Sequence, residues 1–249
     1  MRIENRGGGY EFIPGAPFAS NGVIASPGMT IERGVFAEPI LLPEGFEEVR
    51  RCLDRAGRPL EALCGFDLRL PAAEALEDFV AFNGEYLAQL DAWELLRDGS
   101  SPLARTNVAP VSGAPSRPAV LAFSYTVDGS STGDTLVVSG AAEVPDNATG
   151  PQDVVRLGET TADALLEKLR FVVGMVADRV GALGSQWNNA VAVHLYTAHD
   201  LTFSLVREVL SERGVVPAHG ITWHAAAPPI DLLELEVDVR RYGREIRVS

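Results

Sequence analysis

Two cysteines and four histidines are a thin supply for thiol or metal chemistry in a chain of 249 residues. Cys52 and Cys64 fall in segments that read as helix and strand, so two buried free thiols are expected rather than one disulfide. His194 and His199 are five residues apart, the wrong spacing for one helix face, and no third ligand accompanies them. Basic residues are also short: the net charge is −13, and no basic stripe exists to neutralise phosphates. That excludes nucleic acid and makes an anionic membrane surface a poor partner. The longest apolar run, "FVVGMVA" (171–177), is too short to cross a bilayer. The N-terminal "MRIENRGGGYEF" lacks the apolar core of a signal peptide, so a cytoplasmic protein is expected. There is no "GxSxG", and the loop "DGSSTGD" (128–134) lacks the lysine of a phosphate-binding loop.

What is present is patterned for a folded α+β chain. "EGFEEVRRCLDRAG" (44–57) places Phe46, Val49, Leu53 and Ala56 at helical spacing and stops at Gly57. "LCGFDLRLP" (63–71) alternates as a strand. Leu76, Phe79, Phe82 or Asn83, Tyr86 and Leu90 then mark a second helix. "ARTNVAPV" (104–111) is short and extended, and "AVLAFSYTV" (119–127) is a strand.

The second half runs in the same order. A strand, "DTLVVSGAAEVP" (134–145), precedes a long helix over 160–181 with Thr160 or Thr161 as N-cap. A strand at 189–197 precedes a helix at 200–214 capped by Asp200. Two extended segments follow within 220–241. "LDRAG" (53–57) echoes "ADRVG" (177–181), and "DLRLP" (67–71) echoes "AVHLY" (192–196), at offsets of 124 and 125. A duplication is inferred. The halves are set at 1–117 and 118–249, with the boundary anywhere in about 112–130 because "AVLAFSYTV" suits either side.

Laid out this way, each half resembles a subunit of the RidA/YjgF family of imine/enamine deaminases. The residues that carry the resemblance are "DFVAFNGEY" (78–86) and "ARTNVAPV" in the first half, and "DTLVVSG" (134–140) and "PPIDLLELEVDV" (228–239) in the second. The resemblance implies two tandem chorismate-mutase-like halves, each a mixed sheet with two helices on one face. It makes Arg105 the substrate-carboxylate arginine, Asn83 the helix asparagine, Ser139 the serine of the Ser-Gly step and Glu236 the last-strand carboxylate. Departures follow the halves. His219 stands where the second half would carry its arginine, and Arg33 where the first would carry its serine. Phe18 lies near the family's N-terminal aromatic, and apolar Leu121 or Phe123 takes the place of the first-half carboxylate. Neither half is complete, so one composite site from two halves is expected, the alternative being that one site has decayed.

The chemistry suits these residues. A guanidinium holds a carboxylate through two parallel hydrogen bonds. A carboxyl such as Glu236 can protonate an enamine and deliver water, with no metal or cofactor required. Each residue also has a plainer reading: Arg105 pairing with one of 34 acids, Glu236 on a solvated strand face, Asn83 satisfying a helix end. The plainer readings of the others are Ser139 bending a strand, His219 in a surface loop and Trp223 in the core. The reading carried forward assigns Arg105, Glu236 and Ser139 to catalysis, and Asn83, Arg33, His219 and Trp223 with Arg105 to substrate binding. Two-half relatives suggest 2-aminomuconate or a substituted analogue as substrate, in which case Arg33 or His219 would meet the second carboxylate. A general 2-iminoacid deaminase and a non-catalytic ligand-binding protein are the alternatives. The family resemblance further implies a homo-oligomer, trimer or hexamer, with halves in multiples of three.

Overall fold

The computed structural model describes residues 1–5, 7–129, 134–187, 192–214 and 220–248. The helices form where apolar spacing places them. α1 (Leu42–Arg55) carries Pro43 in its first turn and buries Phe46, Val49 and Leu53. It ends at Gly57 (φ +66°), where Gly57 N–H bonds Asp54 O at 3.0 Å and Arg58 N–H bonds Leu53 O at 2.9 Å. α2 (Leu76–Ala92) buries Phe79, Phe82, Asn83, Tyr86 and Leu90, the expected stripe except for Leu76, which is exposed in the first turn. α3 (Ala162–Ala182) is capped by Thr161, whose hydroxyl accepts from Ala164 N–H at 3.3 Å. α4 (Phe203–Glu212) begins later than expected, with Thr202 and not Asp200 at its N-cap. Leu201 is buried in the core ahead of the first turn, so the chain stays extended through Thr202.

The strands are β1 (Ile3–Asn5), β2 (Tyr10–Ile13), β3 (Gly22–Ala25), β4 (Met29–Leu41), β5 (Leu63–Arg69), β6 (Ala104–Pro110), β7 (Ala119–Asp128), β8 (Leu136–Ala142), β9 (Ala192–Thr197), β10 (Thr222–Ala227), β11 (Leu235–Arg241) and β12 (Arg244–Val248). They form one sheet in the order β1-β2-β3-β8-β11-β9-β10-β6-β5-β7-β4-β12. Within it the duplication is explicit. The runs β4-α1-β5-α2-β6-β7 and β8-α3-β9-α4-β10-β11 give matching strand orders, β6-β5-β7-β4 and β10-β9-β11-β8. Strand senses match too, parallel for β5/β6 and β9/β10 and antiparallel elsewhere in each set. In each half the helices pack on one sheet face, around Phe66 and Leu68 in the first and Leu195 and Val237 in the second. The expected α+β class and tandem arrangement are what the chain adopts.

The halves are nevertheless not two consecutive stretches. A cut at 117/118 would give β7 to the second half, whereas β7 pairs with β4 and β5 in the first. The chain ends are also exchanged. β1–β3 extend the second half through β3 on β8, and β12 lies parallel to β4 of the first. Each terminal segment covers an edge that would otherwise expose unpaired backbone groups. Loop composition marks where the chain can turn, but strand pairing decides which half a segment completes.

The halves meet at β6 and β10, paired at Ala226↔Pro110 and Ala227↔Ala109. A buried ionic network reinforces that seam. Arg240, fully buried, donates to Asp238 Oδ1 at 2.7 Å and to Asp67 Oδ2 at 2.5 Å. Thr106 and Tyr196 hydroxyls donate to Asp238 Oδ2 at 2.8 and 2.9 Å. Burial opposes ionisation of Asp67 and Asp238, yet the Arg240 guanidinium holds both carboxyls below their usual range, helped at Asp67 by Arg33. Removing the shared cation would strand two buried carboxylates. Arg240→Met is therefore expected to destabilise the protein by about 3–5 kcal/mol, read as a lowered urea midpoint at pH 7. A loss indistinguishable from zero would show that the network contributes nothing. No helix among the described residues is long and apolar enough to cross a membrane.

Candidate active site

Four of the expected site residues line one cavity of about 400 Å³ between the halves: Asn83, Arg105, Ser139 and Glu236. α2 and β6 of the first half supply Asn83 and Arg105; β8 and β11 of the second supply Ser139 and Glu236. The N-terminal segment adds Phe18 and Ser20. The cavity is thus lined by both halves and by the N-terminal segment.

Arg105 is 5% exposed and sits in an aromatic cage. Its guanidinium lies 4.6 Å from the Phe18 ring centre and 4.8 Å from that of Tyr86, with Phe79 and Phe82 farther out. Asn83 Oδ1 accepts from Arg105 Nη2 at 2.7 Å, so Asn83 aims the cation. Nη1 has no partner. Burial lowers the Arg105 pKa to about 10, with Tyr86 and Glu236 pulling the other way, so the group remains cationic at neutral pH.

Glu236 is 4% exposed. Burial, together with the neighbouring Asp238 carboxylate, pushes its pKa up to about 8 against the opposing pull of Arg105 and a hydrogen bond from the Asn107 backbone. At pH 7 it is mainly a neutral acid with a proton to give. It fits because residue 140 is glycine: a Cβ there would lie 1.7 Å from Glu236 Oε1. Gly140→Ala must expel this carboxyl. Deamination is expected to fall by about a hundredfold or more, measured as ammonia release alongside a thermal melt; full activity would remove Glu236 from the chemistry.

Ser139 has both hydrogen-bonding roles of its hydroxyl engaged. It accepts from Arg105 N–H at 3.0 Å and donates to Ser20 O at 2.5 Å. In this arrangement it joins β6, β8 and the N-terminal segment. One wall is fixed by Glu143, whose carboxylate accepts from Lys168 Nζ at 3.1 Å and Glu234 N–H at 2.6 Å. Lys168 is the only lysine in the chain, and both partners of this pair are fully buried.

The other expected residues are elsewhere. Arg33 on β4 donates to Asp67 and, through Nη1, to Glu245 at 2.6 Å; it does not line the cavity. Trp223 on β10 is 37% exposed, neither core nor cavity lining. His224 beside it stacks on Tyr196 at 4.5 Å and meets His194 at 2.9 Å. His219 lies outside the described residues.

Two lining residues escaped sequence reasoning. Asn107 is two positions from Arg105 on the same strand and therefore on the same face, a signal that strand periodicity offered. Its amide Nδ2 and Oδ1 are buried without partners. Arg179 lies near the end of α3, where a basic residue reads simply as favourable to the helix dipole. Of the ten buried side-chain polar atoms without a partner among the described residues, five belong to residues lining this cavity: Ser20, Arg105, Asn107 (two atoms) and Arg179. Unpartnered buried groups are costly, and their concentration here marks a place made for a polar ligand.

A guanidinium from one half and a buried acid beside a Ser-Gly step from the other, on a repeated α+β frame, are the features that the RidA/YjgF resemblance implies. More narrowly, a family model described as 2-aminomuconate deaminase CnbZ matches residues 2–246, and the chain belongs to that family. A 2-amino-5-chloromuconate deaminase from Comamonas testosteroni is 36% identical over 241 residues, covering 96% of this chain and 95% of that protein. Among solved structures, a chorismatase matches with a TM-score of 0.49 and 13% identity, covering 88% of this chain and 77% of that one. The YjgF gene product of E. coli matches with a TM-score of 0.32 and 20% identity, over 55% of this chain and 94% of that one.

Proposed function

We propose that this chain hydrolyses 2-aminomuconate, or a substituted analogue, to ammonia and the corresponding 2-oxo dicarboxylate. The observation that carries the reading is the pairing of an incompletely bonded, buried guanidinium with a buried neutral acid in one cavity. Arg105 Nη1 receives the carboxylate next to the amino-bearing carbon, while Asn83 keeps the fork in place. Glu236 protonates the enamine carbon, giving the iminium ion. The resulting carboxylate then takes a proton from the attacking water. The new C–O bond forms a carbinolamine; Glu236, reprotonated by that water, protonates the nitrogen, the C–N bond breaks, ammonia leaves, and the hydroxyl proton returns to Glu236 as the C=O bond forms. Asn107, with a free donor and a free acceptor, suits the water or the departing nitrogen. Ser139 holds the strand that carries Arg105.

A smaller, mainly apolar cavity of about 250 Å³ shares Leu76, Val144, Ala148, Ile230 and Leu233 with the site, which suits a ring-derived substituent. Ammonia release from 2-aminomuconate, compared with 2-iminopropionate formed in situ, tests the reading. Turnover of the small imine alone would favour a general 2-iminoacid deaminase, and no ammonia from either would leave a binding protein. A cytoplasmic setting and a trimer or hexamer belong to the same proposal; the exposed Thr222, Trp223 and Ala225 on β10 suit coverage by a second copy. Light scattering reads the assembly directly, and a monomer would count against it.

A further inference from the structure

A dicarboxylate has two acid ends, and Arg105 can hold only one. Arg33, one of the cations expected for the other end, is bound to Asp67 and Glu245. The cavity has a different second cation. Arg179 is 10% exposed at its side chain and lines the same wall as Ser139. Its Nη1 donates to Ser139 O at 3.2 Å, and its Nη2 to Asp146 Oδ1 at 2.6 Å. Its Nε is buried without a partner. Ser139 thus touches both arginines, taking Arg105 through its hydroxyl and Arg179 through its carbonyl.

The present partner of Arg179 is poorly placed to be permanent. Asp146 is 53% exposed at its side chain, and its other oxygen accepts from Asn21 Nδ2 at 3.0 Å. An ion pair whose acid is this exposed contributes little. It also leaves half of the guanidinium fork unused, whereas a carboxylate bridging Nε and Nη2 would make both bonds. Resting on the deaminase reading, we propose that Arg179 receives the distal carboxylate of the substrate in place of Asp146. It is then the residue that makes the site prefer a dicarboxylate to a monocarboxylate.

The test compares kcat and KM for 2-aminomuconate and 2-iminopropionate in the wild type, Arg179→Gln, Arg179→Lys and Asp146→Asn. Arg179→Gln is expected to lower kcat/KM for the dicarboxylate by about a hundredfold, mostly through KM, and that for the monocarboxylate far less. Arg179→Lys keeps the charge without the fork and should fall between. Asp146→Asn removes the competing anion and should lower KM for the dicarboxylate only. Equal losses on both substrates would mark Arg179 as merely structural and overturn the proposal, as would no loss on either. Should the Arg179 variants not fold, inhibition of the wild type decides. Adipate should inhibit at least about tenfold more tightly than hexanoate, and equal inhibition overturns the proposal. A wild type inert to 2-aminomuconate defeats the deaminase reading first; one that turns it over with an unchanged preference in Arg179→Gln defeats only this inference.

Discussion

Arg105→Met is expected to reduce deamination by about a thousandfold or more while making the protein harder to unfold. The two effects have one origin. Arg105 is a desolvated cation in a cage of Phe18, Phe79, Phe82 and Tyr86, and burial lowers its pKa to about 10. Among the described residues no carboxylate bonds to it directly, and Asn83 is its side-chain acceptor. Folding therefore bears the cost of burying charge for the sake of an anion that arrives later. Methionine fits an aromatic cage and removes that cost, though Asn83 Oδ1 loses its donor. The net gain should be about 1–3 kcal/mol in urea unfolding at pH 7. Ammonia release should be lost in both kcat and KM, because the same fork binds and orients. Retained turnover in Arg105→Met would overturn its role, and a large loss of stability would overturn the account of its burial.

Glu236→Gln should abolish the pH dependence of two quantities at once. The pKa of Glu236 is raised to about 8, above the unfolded value of about 4.3. Between those values the folded protein holds a proton that the unfolded chain has released. Stability must then fall as pH rises through the window, by an amount on the order of a few kcal/mol in total. Glutamine cannot ionise. The variant should match the wild type near pH 4 and be the more stable of the two at pH 8.5, as read from urea midpoints. Activity has the opposite requirement, since the neutral acid is the form that donates. Wild-type kcat/KM should fall as pH rises through about 8, the value to which Glu236 is raised. In Glu236→Gln it should be about a hundredfold to ten-thousandfold lower and without that limb. An unchanged alkaline limb in the variant would assign the proton to another group.

Both predictions describe a site that costs stability, and that cost helps explain how far sequence could reach. Local patterns are strong where a residue's neighbours in sequence determine its surroundings. The stripe Phe79, Phe82, Asn83, Tyr86 and Leu90 is set by helical period, the end of α1 by Gly57, the start of α3 by Thr161. Duplication was legible because it repeats such local patterns in order. Through the family resemblance, Arg105, Asn83, Ser139 and Glu236 were also identifiable, and they share one cavity.

What depended on distant pairing was not legible. Arg33 has the right charge in a strand of the first half, but Asp67 and Glu245, 34 and 212 residues away, occupy it. Arg179 looked like an ordinary helix-end cation until the fold laid it against Ser139 and Asp146. The sequence by itself determined the α+β class and the repeated order of elements, because helical and strand periods act over a few residues; the residue types suited to an enamine carboxylate came through the family resemblance. Only the tertiary structure decided that β7 pairs within the first half, that the termini exchange sides, and that Asn83, Arg105, Ser139 and Glu236 line one cavity. The reason is that backbone pairing and charge burial join residues far apart in the chain, Arg33 to Asp67 across 34 positions and to Glu245 across 212, where no local period carries information.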